Sequence, residues 1–289
     1  MGKIILIGGK MDTGIPDVKN KKSAGIKNIH PQILERFLKE MKGKKSKIEI
    51  ITAATNSPKK SGAEYKKALK RLGCKKIGVM NFKTPLQADK KKMLKRLSEC
   101  DGLMFTGGDQ MLICKALLKS KFLDVMKKRF KAEDDFLVAG TSAGAMVMSE
   151  TMIEGGLPSE ALKKGRVRLG DGLNLLSNII IDTHFVNRER FGRLIEAVST
   201  HPEKLGIGLG EDTAVFFRKT HHVETIGTNM VVLIDGSKLT YNNINKINTN
   251  EPIGVEDMKL HVLPKGHMFN IPKRRIYKKL YGNKKRSLN

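Results

Sequence analysis

The chain alternates between short apolar runs and longer amphipathic ones. Five runs in the first half are apolar or β-branched: KIILIGG (3–9), KIEIITAAT (47–55), KIGVMNF (76–82), GLMFTGG (102–108) and FLVAGTS (136–142). Runs so short and so largely β-branched or apolar predict strands buried on both faces of a parallel sheet. Between them, apolar residues recur at helical spacing. PQILERFLKEMKG opens on Pro31, a good first-turn residue, and stops at Gly43. SGAEYKKALKRLG (61–73) closes on Gly73, an expected C-cap, and QADKKKMLKRLSE (87–99) and QMLICKALLKS (110–120) follow. This order predicts an α/β fold, a doubly wound and mostly parallel sheet with helices on both faces. The last third is richer in strands: GIGLGEDTAVFF, HHVETIG and MVVLIDG. These are expected to be antiparallel and to pack on the same core. One domain is expected over residues 1–275. Residues 276–289 are expected to form a basic C-terminal tail, the end of a segment after Pro272 that frays or lies on the surface.

Composition narrows the function classes. No apolar run reaches the roughly 18 residues of a membrane span, and MGKIILIGG reads as a buried first strand rather than a leader. Cys74, Cys100 and Cys114 are odd in number and lack metal-type spacing, which fits a reducing cytoplasm better than a disulfide framework. No clustered Cys/His set or HExxH run suggests a metal, and no cofactor is expected. The formal net charge of +26 raises the possibility of a nucleic-acid partner. The lysines, however, are spread along the whole chain without interleaved aromatics or a helix-turn-helix pattern. Solvated faces explain them better, and no specific nucleic acid is expected.

The most informative run is FLVAG-TSAGA-MVMSE. A strand-like segment leads into Gly140-Thr141-Ser142-Ala143-Gly144, and a helix-compatible segment follows. This is G-x-S-x-G in the strand–turn–helix setting of a nucleophile elbow. So tight a turn leaves no room for side chains two residues before or after the serine. The serine is expected at a helix N-terminus, where N–H groups favour an oxyanion. The bland alternative is a Gly-rich turn capped by Ser142. Phe105-Thr106-Gly107-Gly108-Asp109-Gln110 ends another predicted strand, with Asp109 placed as N-cap of the next helix. The N–H groups of Gly108 and Ala143 are the expected oxyanion-hole pair.

A serine nucleophile needs a base held by a carboxylate. Among seven histidines, His184 stands apart in SNIIIDTHFVNRERFGRL, at the end of a buried-looking strand and just before a helix. Active sites of open α/β sheets form at such strand ends. Asp182 or Glu211, the latter after another Gly-rich strand, is placed to orient the imidazole. Arg188, Arg190 and Arg193 fall in the first turns of the predicted helix, where cations oppose its dipole. They suggest an anion site. The alternative is surface pairing with Glu189 and Glu196.

Taken together, AGTSAGAMVMSE, DTHFVNRERFGRL, GIGLGEDTA, FTGGDQ and the N-terminal IILIGG resemble the cyanophycinase family of serine peptidases, in order and over roughly residues 3–275. The resemblance implies a flavodoxin-like fold. It carries Ser142 over as nucleophile, His184 as base and Glu211 as the orienting carboxylate. Gln110, Asp182, Thr183, Arg188, Arg190 and Arg193 carry over as substrate-pocket residues. Family members degrade cyanophycin, an aspartate-backbone polymer bearing arginine on each β-carboxyl, and release β-aspartyl-arginine. On that substrate the three arginines would meet carboxylates, and Asp182 and Asp109 the guanidinium groups. A homodimer is implied as well. The sequence departs from the common pattern in three places: Thr183 stands for a glutamine, Glu189 for a glycine between two arginines, and Gly210 for an aspartate before Glu211. The shorter Thr183 suggests a related peptidase for another β-linked or acidic peptide. An ammonia-releasing amidotransferase is disfavoured because the elbow has no cysteine.

Overall fold

A computed structural model describes residues 1–12, 32–218 and 221–278. Each of the five apolar runs forms a strand: β1 (Lys3–Ile7), β2 (Lys47–Ile51), β3 (Lys76–Met80), β4 (Gly102–Phe105) and β5 (Leu137–Thr141). They are parallel and adjacent, in the order β1-β5-β4-β2-β3. The helices between them are α1 (Gln32–Lys39), α2 (Pro58–Arg71), α3 (Pro85–Ala88), α4 (Lys91–Glu99), α5 (Gln110–Leu117) and α6 (Lys121–Ala132). The alternation of strand side chains divides them between two faces. Ile5, Ile7, Ile48, Ile50 and Ala139 pack with Phe37 of α1 and Leu69 of α2. Ile4, Leu6, Leu103, Phe105 and Val138 pack with Leu97 of α4, Ile113 of α5 and Phe122 of α6. The start of the α1 pattern at Pro31 lies outside the described residues. The expected helix over 87–99 is broken in two around Asp89, whose carboxylate accepts the Phe122 N–H at 2.9 Å and so seats α6. The helical run of α6, capped by Ser120 through the Leu123 N–H, was not among the predicted elements.

The second half departs further from the simple pattern. After the single turn α7 (Ala143–Met146), β6 (Thr151–Gly155) and β7 (Arg168–Asp171) form an antiparallel hairpin that periodicity did not reveal. Strands β8 (Ile179–Thr183) and β9 (Leu205–Leu209), with α8 (Phe191–Thr200) between them, pair in parallel. Strands β10 (Thr213–Arg218) and β11 (His222–Gly227) extend the first sheet antiparallel beyond β1. Strand β12 (Val231–Asp235) returns to pair antiparallel with β9. Past the small β13 (Tyr241–Asn242) and β14 (Val255–Glu256) ladder, β15 (Lys259–Leu263) edges the second sheet. The late strands are thus antiparallel to their neighbours except at β8–β9, and they serve two sheets. Ile181, Ile207 and Leu233 of the second sheet share an apolar cluster with Leu6 and Val138 of the first.

The chain does not leave the sheet at residue 275. After β16 (His267–Asn270), Arg275–Lys278 forms β17 and closes the nine-stranded sheet antiparallel to β16. Edge strands tolerate exposed charge because one side of their backbone needs no partner strand, so a basic segment can still be a strand. The rest of the expected tail, residues 279–289, lies outside the described residues.

Candidate active site

The C-terminal ends of β1, β4, β5, β8 and β9 meet in one place. The elbow is built as its glycines require. A Cβ on Gly140 would lie 2.0 Å from the Gly144 carbonyl oxygen, and one on Gly144 would lie 2.5 Å from that of Phe105. Ser142 itself adopts φ +51°, a conformation unfavourable for a non-glycine residue. Its N–H is anchored to the Ile7 carbonyl at 2.9 Å, which leaves the side chain half-buried at the strand end. The helix that follows is a single turn, shorter than expected. A macrodipole needs more aligned peptides than that, so any oxyanion stabilisation falls to individual N–H groups. Those of Gly108 and Ala143 are engaged by no partner among the described residues. Gly107 abuts the serine, since a Cβ there would sit 3.3 Å from Ser142 Cβ. Gly108, at φ +143°, has no room for a side chain, because Ala54 O would lie 2.1 Å away. Asp109 caps α5 as expected, accepting the Met111 N–H at 2.8 Å.

His184 directly follows β8, also with positive φ, and its N–H bonds the Gly8 carbonyl at 2.8 Å. Its Nε2 lies 3.0 Å from Ser142 Oγ and its Nδ1 lies 2.8 Å from Glu211 Oε1. An ionised carboxylate only accepts, so Nδ1 carries the proton and Nε2 presents a lone pair to the serine. Glu211 sits in the turn between β9 and β10, and Lys10 Nζ lies 3.1 Å from the same Oε1. Burial lowers the imidazole pKa, the Glu211 hydrogen bond raises it, and nearby Arg188 lowers it again. The balance leaves His184 below the ordinary value. Burial pushes Glu211 up, but the bonds from His184 and Lys10 outweigh it and hold the carboxyl below its usual range. A neutral, oriented imidazole beside a serine hydroxyl is the arrangement for general-base activation.

Most of the residues expected to line a substrate pocket are engaged within the protein. Asp182 is fully buried, and its guanidinium partners belong to the chain. Arg193 grips both carboxylate oxygens, with Nε–Oδ2 at 2.8 Å, and Arg190 Nη1 adds a bond at 3.0 Å. Arg190 Nη1 also donates to the Thr183 carbonyl at 2.8 Å, and Arg193 Nη1 to that of Gly156 at 3.2 Å. Arg193 is therefore a buried ion-pair member rather than an exposed clamp. Surface pairing with Glu196 fails too, because buried Glu196 accepts the N–H groups of Leu162 and Val167. Thr183 is buried, with its hydroxyl 3.4 Å from Met146 Sδ, so its difference from glutamine bears on the core. Gln110 Nε2 donates to the carbonyls of Ile153 and Glu154 on β6. Arg188 is exposed and makes no side-chain bond among the described residues, and Arg190 Nε is buried without a partner. The sequence reading missed Gly8, Gly9 and Lys10, although a Gly-Gly pair ending a first strand is a signal of close backbone approach.

Fold and site together define a serine peptidase of the α/β type. Residues 22–225 match peptidase family S51, and the chain belongs to that family. It is 34% identical over 245 residues to the cyanophycinases of Trichormus variabilis and Nostoc sp., covering 85% of this chain and 82% of each relative. The cyanophycinase of Geminocystis herdmanii is 34% identical over 239 residues, 83% of this chain and 88% of that one. In fold, the chain resembles a peptidase from an acI-B1 actinobacterium, with TM-score 0.62 at 17% identity over 93% and 96% of the two chains. A putative peptidase E of Listeria monocytogenes EGD-e aligns with TM-score 0.52 at 19% identity, over 79% of this chain and 100% of that one.

Proposed function

We propose that this peptidase hydrolyses cyanophycin on a flavodoxin-like scaffold, cutting the α-peptide bond between backbone aspartates and releasing β-aspartyl-arginine. Ser142 Oγ attacks the aspartyl carbonyl as its proton passes to His184 Nε2. Glu211 holds Nδ1–H and offsets the positive charge that develops on the imidazole. The N–H groups of Gly108 and Ala143 receive the oxyanion. The C–N bond then breaks, and the amine leaves with the proton from Nε2. Water, activated by the same imidazole, cleaves the Ser142 ester. The observation that carries this reading is the unbroken chain Ser142 Oγ–His184 Nε2, 3.0 Å, and His184 Nδ1–Glu211 Oε1, 2.8 Å. A degenerate scaffold that only bound nucleic acid would have no need of it. Exposed Arg188 is the cation best placed to meet the α-carboxylate of a side-chain arginine or the terminal carboxylate of the polymer. The Gln110 amide oxygen, free of the bonds that hold its nitrogen, suits a guanidinium N–H. The resemblance to cyanophycinases also supports a homodimer. Three buried, unpaired cysteines suit a reducing compartment.

The test is incubation with purified cyanophycin and mass analysis of the products. β-Aspartyl-arginine should accumulate, and Ser142→Ala should lower kcat by roughly 10³–10⁶-fold with an unchanged melt. Cleavage of aspartyl dipeptides or isopeptides but not of the polymer would reassign the substrate and keep the peptidase. Full activity in Ser142→Ala would remove the nucleophile.

A further inference from the structure

The turn that follows β1 touches every member of the triad. The Ile7 carbonyl accepts the Ser142 N–H at 2.9 Å, and the Gly8 carbonyl accepts the His184 N–H at 2.8 Å. Gly9 lies against the imidazole, since a Cβ there would be 2.3 Å from His184 Cε1. Lys10 Nζ then reaches Glu211 Oε1 at 3.1 Å, the oxygen that also accepts His184 Nδ1–H. The turn is laced to both sides of Glu211. Thr213 O accepts the Gly8 N–H, Gly9 O accepts the Asp212 N–H, and Asp212 Oδ1 accepts the Asp12 N–H, each at 2.9 Å.

We propose that Lys10 is a positioning residue for the hydrolytic reaction, fixing the Glu211 carboxylate against His184 and moderating the negative charge that the imidazole feels. This rests on the triad assignment above. The Lys10 side chain is 72% exposed, and so exposed an ion pair adds little to stability. Its consequence lies instead in the chemistry. A carboxylate oxygen shared between an ammonium and an imidazole N–H loses torsional freedom, so Nε2 stays aimed at Ser142. The same ammonium opposes imidazolium formation through Glu211. The other charges facing this pair are Arg188 and Arg190, which act on His184 from the turn after β8. Asn187 Oδ1 lies 3.5 Å from the Glu211 N–H. Asp212 is engaged by the Asp12 N–H and, at 2.7 Å, by the Thr228 hydroxyl.

Removing the ammonium leaves the undiminished carboxylate charge on the imidazole. The His184 pKa should then rise, and the acid limb of kcat/KM should move to higher pH. In Lys10→Met we expect a shift of about 0.2–0.7 pH unit and a fall in kcat of about 1.5- to fivefold, with KM unchanged. Lys10→Arg should restore both. The rate at which a serine-directed reagent labels Ser142 should follow the same limb. Labelling needs no polymer, so it reads Lys10 even if the substrate is not cyanophycin. Absence of labelling in the unmodified protein would instead indict the triad. An unchanged limb and labelling rate in Lys10→Met overturn the proposal. A lowered melting temperature with an unmoved limb does so equally, since that is the mark of a merely structural contact.

Discussion

Arg193 shows how far a residue's role depends on what it touches. Its sequence position, in the first turn of a helix after the candidate base, suggests a cation held out for an anionic substrate. In the fold it is 5% exposed and grips fully buried Asp182. Removing one partner of a buried pair leaves an uncompensated charge, at a cost of about 3–5 kcal/mol. Arg193→Ala, which leaves Asp182 its bond from Arg190, should therefore lower the melting temperature, and Asp182→Ala, which strands both guanidinium groups, should lower it further. Thermal melts beside steady-state kinetics check this. A variant that melts normally but has a raised KM would return Arg193 to the substrate. Arg190 stands between the two roles, with Nη1 tied to Asp182 and Thr183 and Nε buried without a partner.

At the scale of elements, strand ends are positioned by turns rather than by their own ladders. Positive φ at both Ser142 and His184 marks backbone strain that surrounding contacts must hold, and the turn after β1 supplies several of them. Gly9, at φ +109°, has no space for a side chain beneath the imidazole. Gly9→Ala should cost about 1–3 kcal/mol. It should also push His184 off line, and a displacement near 1 Å is enough to lower kcat roughly 100-fold. Gly43 provides the control. It too has positive φ, +59°, but an added Cβ would meet nothing within 4 Å. Gly43→Ala should lose stability alone. Equal kcat in the two variants would mean that the Gly9 contact does not position His184. The β6–β7 hairpin is held in a similar manner, by Gln110 at β6 and by Arg193 at Gly156.

For the molecule as a whole, the net charge of +26 invites an electrostatic account of substrate capture. The proposed polymer is nearly neutral, each aspartate carrying an arginine, so long-range steering should be weak. Raising salt from about 50 to 300 mM compresses the Debye length from roughly 14 to 6 Å. The value of kcat/KM on cyanophycin should change less than about twofold across that range. A fall of tenfold or more would point to an anionic substrate drawn in by the basic surface. No helix among the described residues is long and apolar enough to cross a membrane.

What could be read from the chain were the features set by local physics. Short, largely apolar runs marked β1 to β5 as parallel strands. Strands β4 and β5 are buried throughout and β1 all but at Lys3, while β3 at the sheet edge keeps Lys76 exposed and Gly78 and Val79 half-buried. The elbow around Ser142 was legible because its glycines answer a steric demand within five residues. His184 and Glu211 were legible as strand-end residues, but the choice between Asp182 and Glu211 came only from resemblance to a family. In the structure Asp182 turns to Arg190 and Arg193, while Glu211 reaches His184 Nδ1. Tertiary structure alone set the partners of Arg193, Gln110 and Thr183, and it alone carried β10, β11, β16 and β17 into the first sheet while β12 and β15 joined the second. A polar residue's sequence neighbourhood fixes its chemistry and its strand or helix. Whether it is spent on the protein or left for a substrate depends on which groups, distant in the chain, are brought within 3 Å of it, and burial then makes leaving it unpaired too costly.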